Sequence, residues 1–251
     1  MNFGDVYSQY YDLLYRDKDY IGETSYVEQL IRSNRKNSST LLDLGCGTGK
    51  HAELFCEKGY EVHGVDLSPE MLAIAESRRT GKESRLQFTC SNISELQLDA
   101  QFDVVTSLFH VMSYQTENSD LLLAFQKAYQ HLNPGGLFIF DFWYGPGVLT
   151  DRPVTRVKRL ENENISVTRI SESEIHATRN VVDVHFDVLV ENKIDNSMHK
   201  NKEKHAMRYF FDPELEMACQ QVGFKVASKF QWMTDNAPSF SSWNVVWVVQ
   251  K

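Results

Sequence analysis

The sequence contains no apolar run longer than a β-strand, so nothing in it predicts a transmembrane helix. Residues 1–20 lack the apolar segment of a signal peptide and carry six charged side chains instead. None of the cysteines forms a CxxC pair, which argues against a disulfide framework and against a zinc site. They are Cys46, Cys56, Cys90 and Cys219. We therefore expect reduced thiols, no membrane association and a cytoplasmic location.

Positive charge is also scarce. The chain has 26 Lys and Arg against 34 Asp and Glu, a net charge of −8 and a pI near 5.5. Proteins that bind nucleic acids usually present a basic face, so we expect no nucleic-acid partner. Four histidines near the middle of the chain lack metal-ligand spacing and cysteine partners, so we predict no metal. They are His176, His185, His199 and His205.

The 251 residues include 42% hydrophobic residues, enough for a sizeable core. Up to Phe142, apolar strands alternate with helical segments, a pattern typical of a parallel sheet covered on both faces. Val182–Val190 instead alternates apolar with polar residues, as in a half-buried antiparallel strand. We predict an α/β, Rossmann-like fold: a seven-stranded, mostly parallel sheet with helices on both faces, plus a small antiparallel β insertion.

Three segments are expected along the chain. Residues 1–147 would form the cofactor-binding core with an N-terminal helical lid. Residues 148–211 would form the β-rich insertion. Residues 212–251 would add a helix and strands that complete the core sheet.

A glycine-rich turn follows the first strand of this pattern, with Gly45, Gly47 and Gly49 ahead of a helix. Glycines let the backbone take positive φ and let a ligand approach closely. A phosphate-binding P-loop needs four residues between its glycines, and only three separate Gly45 from Gly49. A dinucleotide fold wants a third glycine at position 50, which is Lys50. The remaining interpretation is a site for S-adenosylmethionine (SAM).

Asp66 ends the second strand, Val62–Val65, and its carboxylate could accept hydrogen bonds from two ribose hydroxyls. Nicotinamide enzymes place an acid similarly, so Asp66 alone does not distinguish the two cofactors. The glycine spacing favours SAM.

Four motifs together resemble the class I SAM-dependent methyltransferases. They are Asp43–Gly49, Val65–Leu72, Phe102–Val105 and Leu132–Gly136, in the order and at the separations usual for that family. The resemblance covers roughly the first 142 residues and implies SAM as the cofactor. It implies cofactor contacts from the turn and from the ends of the next strands: Asp43, Gly45, Cys46, Gly47, Gly49, Asp66, Leu67, Met71, Ile93 and Phe109.

Other cofactor contacts are less regular. After the third strand the family usually carries Asp, and this chain has Asn92, whose carbonyl oxygen could accept from the adenine amine. Tyr11 and Tyr20 resemble N-terminal tyrosines that close over SAM.

Four features are similar to the amino-sugar N,N-dimethyltransferases of macrolide biosynthesis and to methyltransferases associated with surface-polysaccharide synthesis: Tyr11–Tyr15, Asp19–Tyr20, the aromatic run Phe142–Tyr144 and the β-rich insertion. His110 follows the fourth strand, where ligands bind in open α/β sheets, and a neutral imidazole there could take a proton from the acceptor. Tyr15 is a second catalytic candidate. The candidate acceptor-binding residues are Tyr114, Trp143, Tyr144 and Arg208.

The sequence thus predicts SAM-dependent methyl transfer to N or O of a small-molecule acceptor, such as an activated sugar or another surface-polysaccharide precursor. An NAD(P)-dependent oxidoreductase and a non-catalytic SAM-binding protein stay open as alternatives. Exposed insertion strands could also pair across a homodimer.

Overall fold

A computed structural model describes Tyr10, residues 13–82 and residues 84–251. The chain divides into two compact units. The larger unit holds residues 19–151 and 209–251, and the smaller unit holds residues 152–208 with the described residues up to Lys18. The roles expected for residues 1–147, 148–211 and 212–251 stay predictions.

The elements of the described residues are as follows. The helices are α1 (Tyr20–Asn34), α2 (Lys50–Glu57), α3 (Pro69–Ser77), α4 (Asn118–Gln130), α5 (Gly145–Thr150) and α6 (Asp212–Val222). The strands are β1 (Thr40–Leu44), β2 (Glu61–Asp66), β3 (Leu86–Cys90), β4 (Phe102–Ser107), β5 (Leu132–Tyr144), β6 (Arg156–Glu161), β7 (Ile165–His176), β8 (Val181–Asn192), β9 (Met198–Phe210), β10 (Lys225–Gln231) and β11 (Asn244–Gln250). Short 3₁₀ turns cover Ile93–Glu95 and Val111–Tyr114.

The larger unit is built on a sheet with the strand order β3-β2-β1-β4-β5-β11-β10. Neighbouring strands from β3 to β5 run parallel, and β11 runs antiparallel to both β5 and β10. Within the described residues this is a seven-stranded, mostly parallel sheet, so the predicted α/β fold class is confirmed. The strand order reverses between β1 and β4, which is where ligands bind in open α/β sheets, at the carboxyl ends of the strands.

Helices cover both faces of this sheet because alternate residues of each strand point to opposite sides. In β5, Phe138 and Phe140 pack on one face with Phe125 of α4, while Leu137 and Ile139 pack on the other. Strands that are apolar at every position are therefore buried from both sides, as their sequence predicts.

The smaller unit is an antiparallel sheet with the order β9-β8-β7-β6. Leu13 and Leu14 pack on one face of it, against Val167, Val188 and Val190. The opposite positions of these strands are polar, which gives the alternating pattern predicted for this part of the chain. Among the described residues, no helix combines the length and the apolar character needed to cross a membrane.

Candidate cofactor and acceptor site

The glycine turn at the end of β1 has two different steric environments. Gly47 and Gly49 both have positive φ, at 56° and 74°. A Cβ on Gly49 would lie 2.9 Å from both Ala75 and Phe88, so the turn packs tightly against α3 and β3. A Cβ on Gly47 would meet nothing within 4 Å. The Gly47 side of the turn is therefore open to a ligand, while the Gly49 side is closed by protein.

Asp66 joins this turn to the start of α3. Its Oδ2 accepts a hydrogen bond from the Gly47 amide at 2.8 Å, and its Oδ1 accepts one from the Ser68 amide at 2.9 Å. A serine followed by a proline predicts the start of a helix, and the structure agrees: Ser68 caps α3 by accepting from the Met71 amide, and Pro69 occupies the first turn. Because each carboxylate oxygen has more than one lone pair, Asp66 can still accept ribose hydroxyls.

Asp43 lies beneath the turn and is 2% exposed. Its Oδ1 accepts a hydrogen bond from the Thr106 hydroxyl at 2.8 Å. Burial raises the pKa of the Asp43 carboxyl, and the neighbouring His51 partly opposes that rise. The Asp43 side chain is thus tied to β4, and the cofactor contact that the resemblance implies for it stays a prediction.

The candidate adenine contacts differ in exposure. Leu67 is 67% exposed although it is apolar, and it directly follows Asp66. An exposed apolar side chain beside an anchoring carboxylate suits the flat face of a nucleobase. Ile93 is nearly buried, and Met71 is partly buried. Cys46 is buried against Leu72 and Ala75, and burial raises the pKa of its thiol well above the ordinary value.

Asn92 has a structural role in addition to the one predicted for it. Its amide oxygen accepts hydrogen bonds from both the amide and the hydroxyl of Ser94, each at 3.0 Å, and so caps the 3₁₀ turn at Ile93. An amide oxygen has two lone pairs, so this cap competes with the predicted contact to the adenine amine.

Tyr20 begins α1, and its ring centroid lies 4.9 Å from that of His51 in α2. His51 is also held by Glu23, with Nε2 2.8 Å from Oε2. The Nζ of Lys50 lies 5.1 Å from the Tyr20 ring. These contacts place Tyr20 beside the first turn of the helix that follows the glycines. Tyr11, the other predicted lid tyrosine, lies outside the described residues.

His110 is held by a residue that the sequence reasoning missed. Its backbone N–H donates to both carboxylate oxygens of Asp141, each at 3.2 Å. Its Nδ1 lies 2.6 Å from Asp141 Oδ2, at an angle short of a straight hydrogen bond. Asp141 was recognisable in principle, because it is the one acid in the apolar run Leu137–Phe142.

The backbone at this position is unusual. Phe109 and His110 have φ values of 66° and 64°, a left-handed conformation that is uncommon outside glycine. The centroids of their rings lie 5.5 Å apart. The ring of Trp143, which is on β5, has its centroid 6.3 Å from that of His110. Trp143 in turn contacts Trp243 at 5.0 Å. The carboxyl ends of β4 and β5 therefore carry a histidine surrounded by aromatic rings.

The remaining predicted acceptor residues are distributed over both units. In the larger unit, Tyr114 is 47% exposed, and burial together with the charge of Asp212 raises the pKa of Tyr144. In the smaller unit, the Tyr15 hydroxyl accepts from Arg169 at 3.4 Å, and Arg208 is buried near the end of β9. The structure brings Tyr114, Trp143 and Tyr144 to the carboxyl ends of β4 and β5, and the roles of all five stay predictions.

A shallow cavity of about 520 Å³ opens at the other edge of the sheet. It is lined by residues 96–101, which precede β4, and by Gln130, His131 and Asn133 around the start of β5. Because strand starts and strand ends lie at opposite edges of a parallel sheet, this cavity is remote from the glycine turn.

Comparison with known proteins identifies the family. Residues 41–136 match a family model described as a methyltransferase domain. The chain is 30% identical over 228 residues to dTDP-3-amino-3,4,6-trideoxy-alpha-D-glucopyranose N,N-dimethyltransferase of Streptomyces venezuelae, covering 90% of this chain and 91% of that one. The chain therefore belongs to the SAM-dependent methyltransferases.

Two solved structures are similar to this chain over nearly its whole length. Streptomyces venezuelae DesVI superposes with a TM-score of 0.80 at 25% identity, over 99% of this chain and 98% of that one. SAM-bound CalS10, an amino pentose methyltransferase from Micromonospora echinaspora, superposes with a TM-score of 0.77 at 25% identity, over 98% and 96%. Among methyltransferases, the homologues of this chain thus include dTDP-amino-sugar N,N-dimethyltransferases.

These findings confirm that the chain is a methyltransferase whose cofactor is SAM, with a small molecule as the acceptor. The oxidoreductase and the non-catalytic alternatives are set aside. The residues present suit that cofactor, because the space over Gly47 is open and exposed Leu67 adjoins the Asp66 carboxylate. The individual residue contacts stay predictions, as do the homodimer and the absence of nucleic-acid, membrane and metal partners.

Proposed function

We propose that this enzyme methylates the amino group of a nucleotide-activated amino sugar. The observation that carries the proposal is His110 at the end of β4, held against the buried Asp141 and flanked by Phe109 and Trp143. An amine is protonated near neutral pH and must lose a proton before it can attack carbon. A positioned histidine meets that need, and the names of the amino-sugar homologues support the choice of acceptor.

When SAM is bound, it supplies a methyl group already activated on a sulfonium sulfur. The acceptor ammonium first gives a proton to His110. The neutral nitrogen then bonds to the methyl carbon as the carbon–sulfur bond breaks, which yields a methylammonium product and S-adenosylhomocysteine. Alignment of the two reactants supplies much of the acceleration, up to about 7–11 kcal/mol in favourable cases.

We assign the binding of SAM to the carboxyl ends of β1 and β2, beside the carboxyl ends of β4 and β5. Asp66 would accept the ribose hydroxyls, Leu67 and Ile93 would flank the adenine, and the open Gly47 would admit the methionine part. Phe109 and Trp143 would exclude water around the reacting nitrogen, which strengthens the interaction between charged groups there.

The experiment is a methyl-transfer assay with SAM and paired acceptors. A dTDP-linked 3-amino or 4-amino sugar is compared with the analogue that has a hydroxyl at the same carbon, and with the free amino sugar. We expect mass spectrometry to show one or two methyl groups on the nucleotide-linked amine and none on the hydroxyl analogue. Methylation of the hydroxyl analogue at an equal rate, or no methylation of any amine, would contradict the proposal.

A further inference from the structure

Asp141 is a buried carboxylate in an apolar strand. It is 1% exposed, and its neighbours Phe140 and Phe142 are fully buried. A carboxylate in such surroundings is costly unless it is paired and hydrogen-bonded. Within the described residues, the polar contacts of its side chain all go to His110. Within that part of the chain, this buried carboxylate therefore makes its polar contacts with a single residue.

The backbone of His110 needs that support. Left-handed φ at non-glycine residues is energetically unfavourable and persists only where the surroundings impose it. Phe109 and His110 adopt this conformation in succession, and the two oxygens of Asp141 both accept the His110 amide. The carboxylate thus fixes the turn that carries the histidine out of β4.

The imidazole lies against the same carboxylate. Nδ1 is 2.6 Å from Oδ2 without meeting hydrogen-bond geometry, and at that distance a proton on Nδ1 is favoured, since an unprotonated Nδ1 would set its lone pair against the carboxylate. Nε2 is then the basic nitrogen. The rings of Phe109 and Trp143, at 5.5 and 6.3 Å, hold the plane of the imidazole.

We propose that Asp141 is the positioning residue of the methyl-transfer reaction. It holds His110 in the Nδ1-protonated form and leaves Nε2 to receive the proton of the acceptor amine. This inference rests on the proposed function, in which His110 is the proton acceptor.

The kinetic test uses Asp141→Asn, which keeps the size of the side chain and an oxygen for the His110 amide. We expect kcat to fall by about 10- to 100-fold, less than the full contribution of about 10²–10⁴ from a general base. The dissociation constant of SAM should not change. The matched control is Asp103→Asn, another buried acid that accepts backbone amides, at the opposite edge of the sheet. Its kcat should match that of the wild type.

A double-mutant cycle separates positioning from a general loss of structure. Residues that act through one another are non-additive. We expect His110→Gln combined with Asp141→Asn to be no slower than His110→Gln alone. A second, full loss in the double variant would show that Asp141 acts on the fold and not through His110, and would overturn the inference.

A spectroscopic test needs no substrate and does not require Asp141→Asn to fold. In ¹⁵N-histidine NMR spectra of the wild-type protein, assigned with His110→Gln, we expect the neutral His110 ring to carry its proton on Nδ1. A ring protonated on Nε2 would overturn the inference, even if Asp141→Asn does not fold. If no amine is methylated by the wild type, the proposed function fails, and the NMR spectrum still decides the role of Asp141.

Discussion

The carboxyl edge of the sheet has two halves that are built differently. At the ends of β1 and β2, the site consists of backbone: a turn with three positive-φ glycines, tied by Asp66 through the amides of Gly47 and Ser68. At the ends of β4 and β5, it consists of side chains: His110, Asp141 and the aromatic rings around them. SAM binding is proposed for the first half, and proton transfer is proposed for the second.

The difference has a physical basis. In the proposed arrangement the first half binds SAM, which is the same molecule for every member of the family, so a rigid backbone turn can serve them all. The acceptor differs between members and must be met by side chains, which change independently of the backbone. Substitutions in the two halves should therefore affect different quantities.

The largest effect is expected for His110→Gln. We expect kcat for the amine acceptor to fall by about 10²–10⁴, because the proton acceptor is lost. The measurement is steady-state methyl transfer at saturating SAM. The control is His131→Gln, which removes a histidine that accepts the Leu98 amide at the other edge of the sheet. A kcat for His110→Gln equal to that of the control would remove His110 from the reaction.

The next effect is expected for Asp66→Ala. Loss of hydrogen bonds to a charged group costs about 1.5–3 kcal/mol, so the dissociation constant of SAM should rise by about 10- to 150-fold. Isothermal titration calorimetry measures it. Glu70→Gln serves as the control, since Glu70 is a nearby exposed acid whose carboxylate accepts from the Ser68 hydroxyl. Unchanged SAM affinity in Asp66→Ala would contradict the assignment of the ribose contact.

The two glycines allow a finer test within the first half. Gly49→Ala should destabilise the fold by about 1–3 kcal/mol, because its Cβ would overlap Ala75 and Phe88. Gly47→Ala meets open space, so we expect a smaller loss of stability and a larger loss of SAM affinity. Thermal melts and SAM titrations of both variants measure this. The reverse ranking would mean that the open side of the turn is not the ligand side.

The smallest effect is expected at Asp103, outside both halves. Burial alone would raise the pKa of its carboxyl, but hydrogen bonds from the Ser39 amide and the Asn133 side chain lower it below the usual range. A carboxyl group whose pKa is lower in the folded protein stabilises the fold at pH values above its pKa in the unfolded chain, near 3.9. This stabilisation is lost as the pH falls through the pKa of the folded state.

Asp103→Asn should therefore cost about 1–2 kcal/mol at pH 7, and the difference from the wild type should shrink as the pH falls below about 4. Denaturant titrations at several pH values measure this. A difference that grows toward acid pH would contradict the assigned direction of the shift.

The first half of the edge was predictable from the sequence because its signals are local. Glycine spacing, the Ser68 cap and Pro69 act over a few residues, and the structure confirms the turn and the start of α3. Asp141 was not predicted, because 31 residues separate it from His110 and no local sequence pattern indicates that the two are in contact. The cap formed by Asn92 was also missed, because Asn92 was interpreted as a cofactor contact and not as the first residue of a turn.

The lengths of the insertion strands were underestimated for a related reason. The strand-like composition of Ile165–Ser171 predicts a strand over those residues, and β7 extends beyond them to His176, through Glu172 and Glu174. These two positions are polar because they lie on an exposed face of the sheet. The apolar part of the sequence therefore ends before the hydrogen-bonded strand does.

The most direct measurement is made on two variants side by side, Asp66→Ala and His110→Gln, with SAM affinity and saturated turnover determined for each. We expect Asp66→Ala to bind SAM weakly yet keep most of its turnover once SAM is saturating, and His110→Gln to bind SAM like the wild type yet turn over slowly. If each variant lost both properties to a similar degree, the division of the edge into a binding half and a proton-transfer half would be wrong.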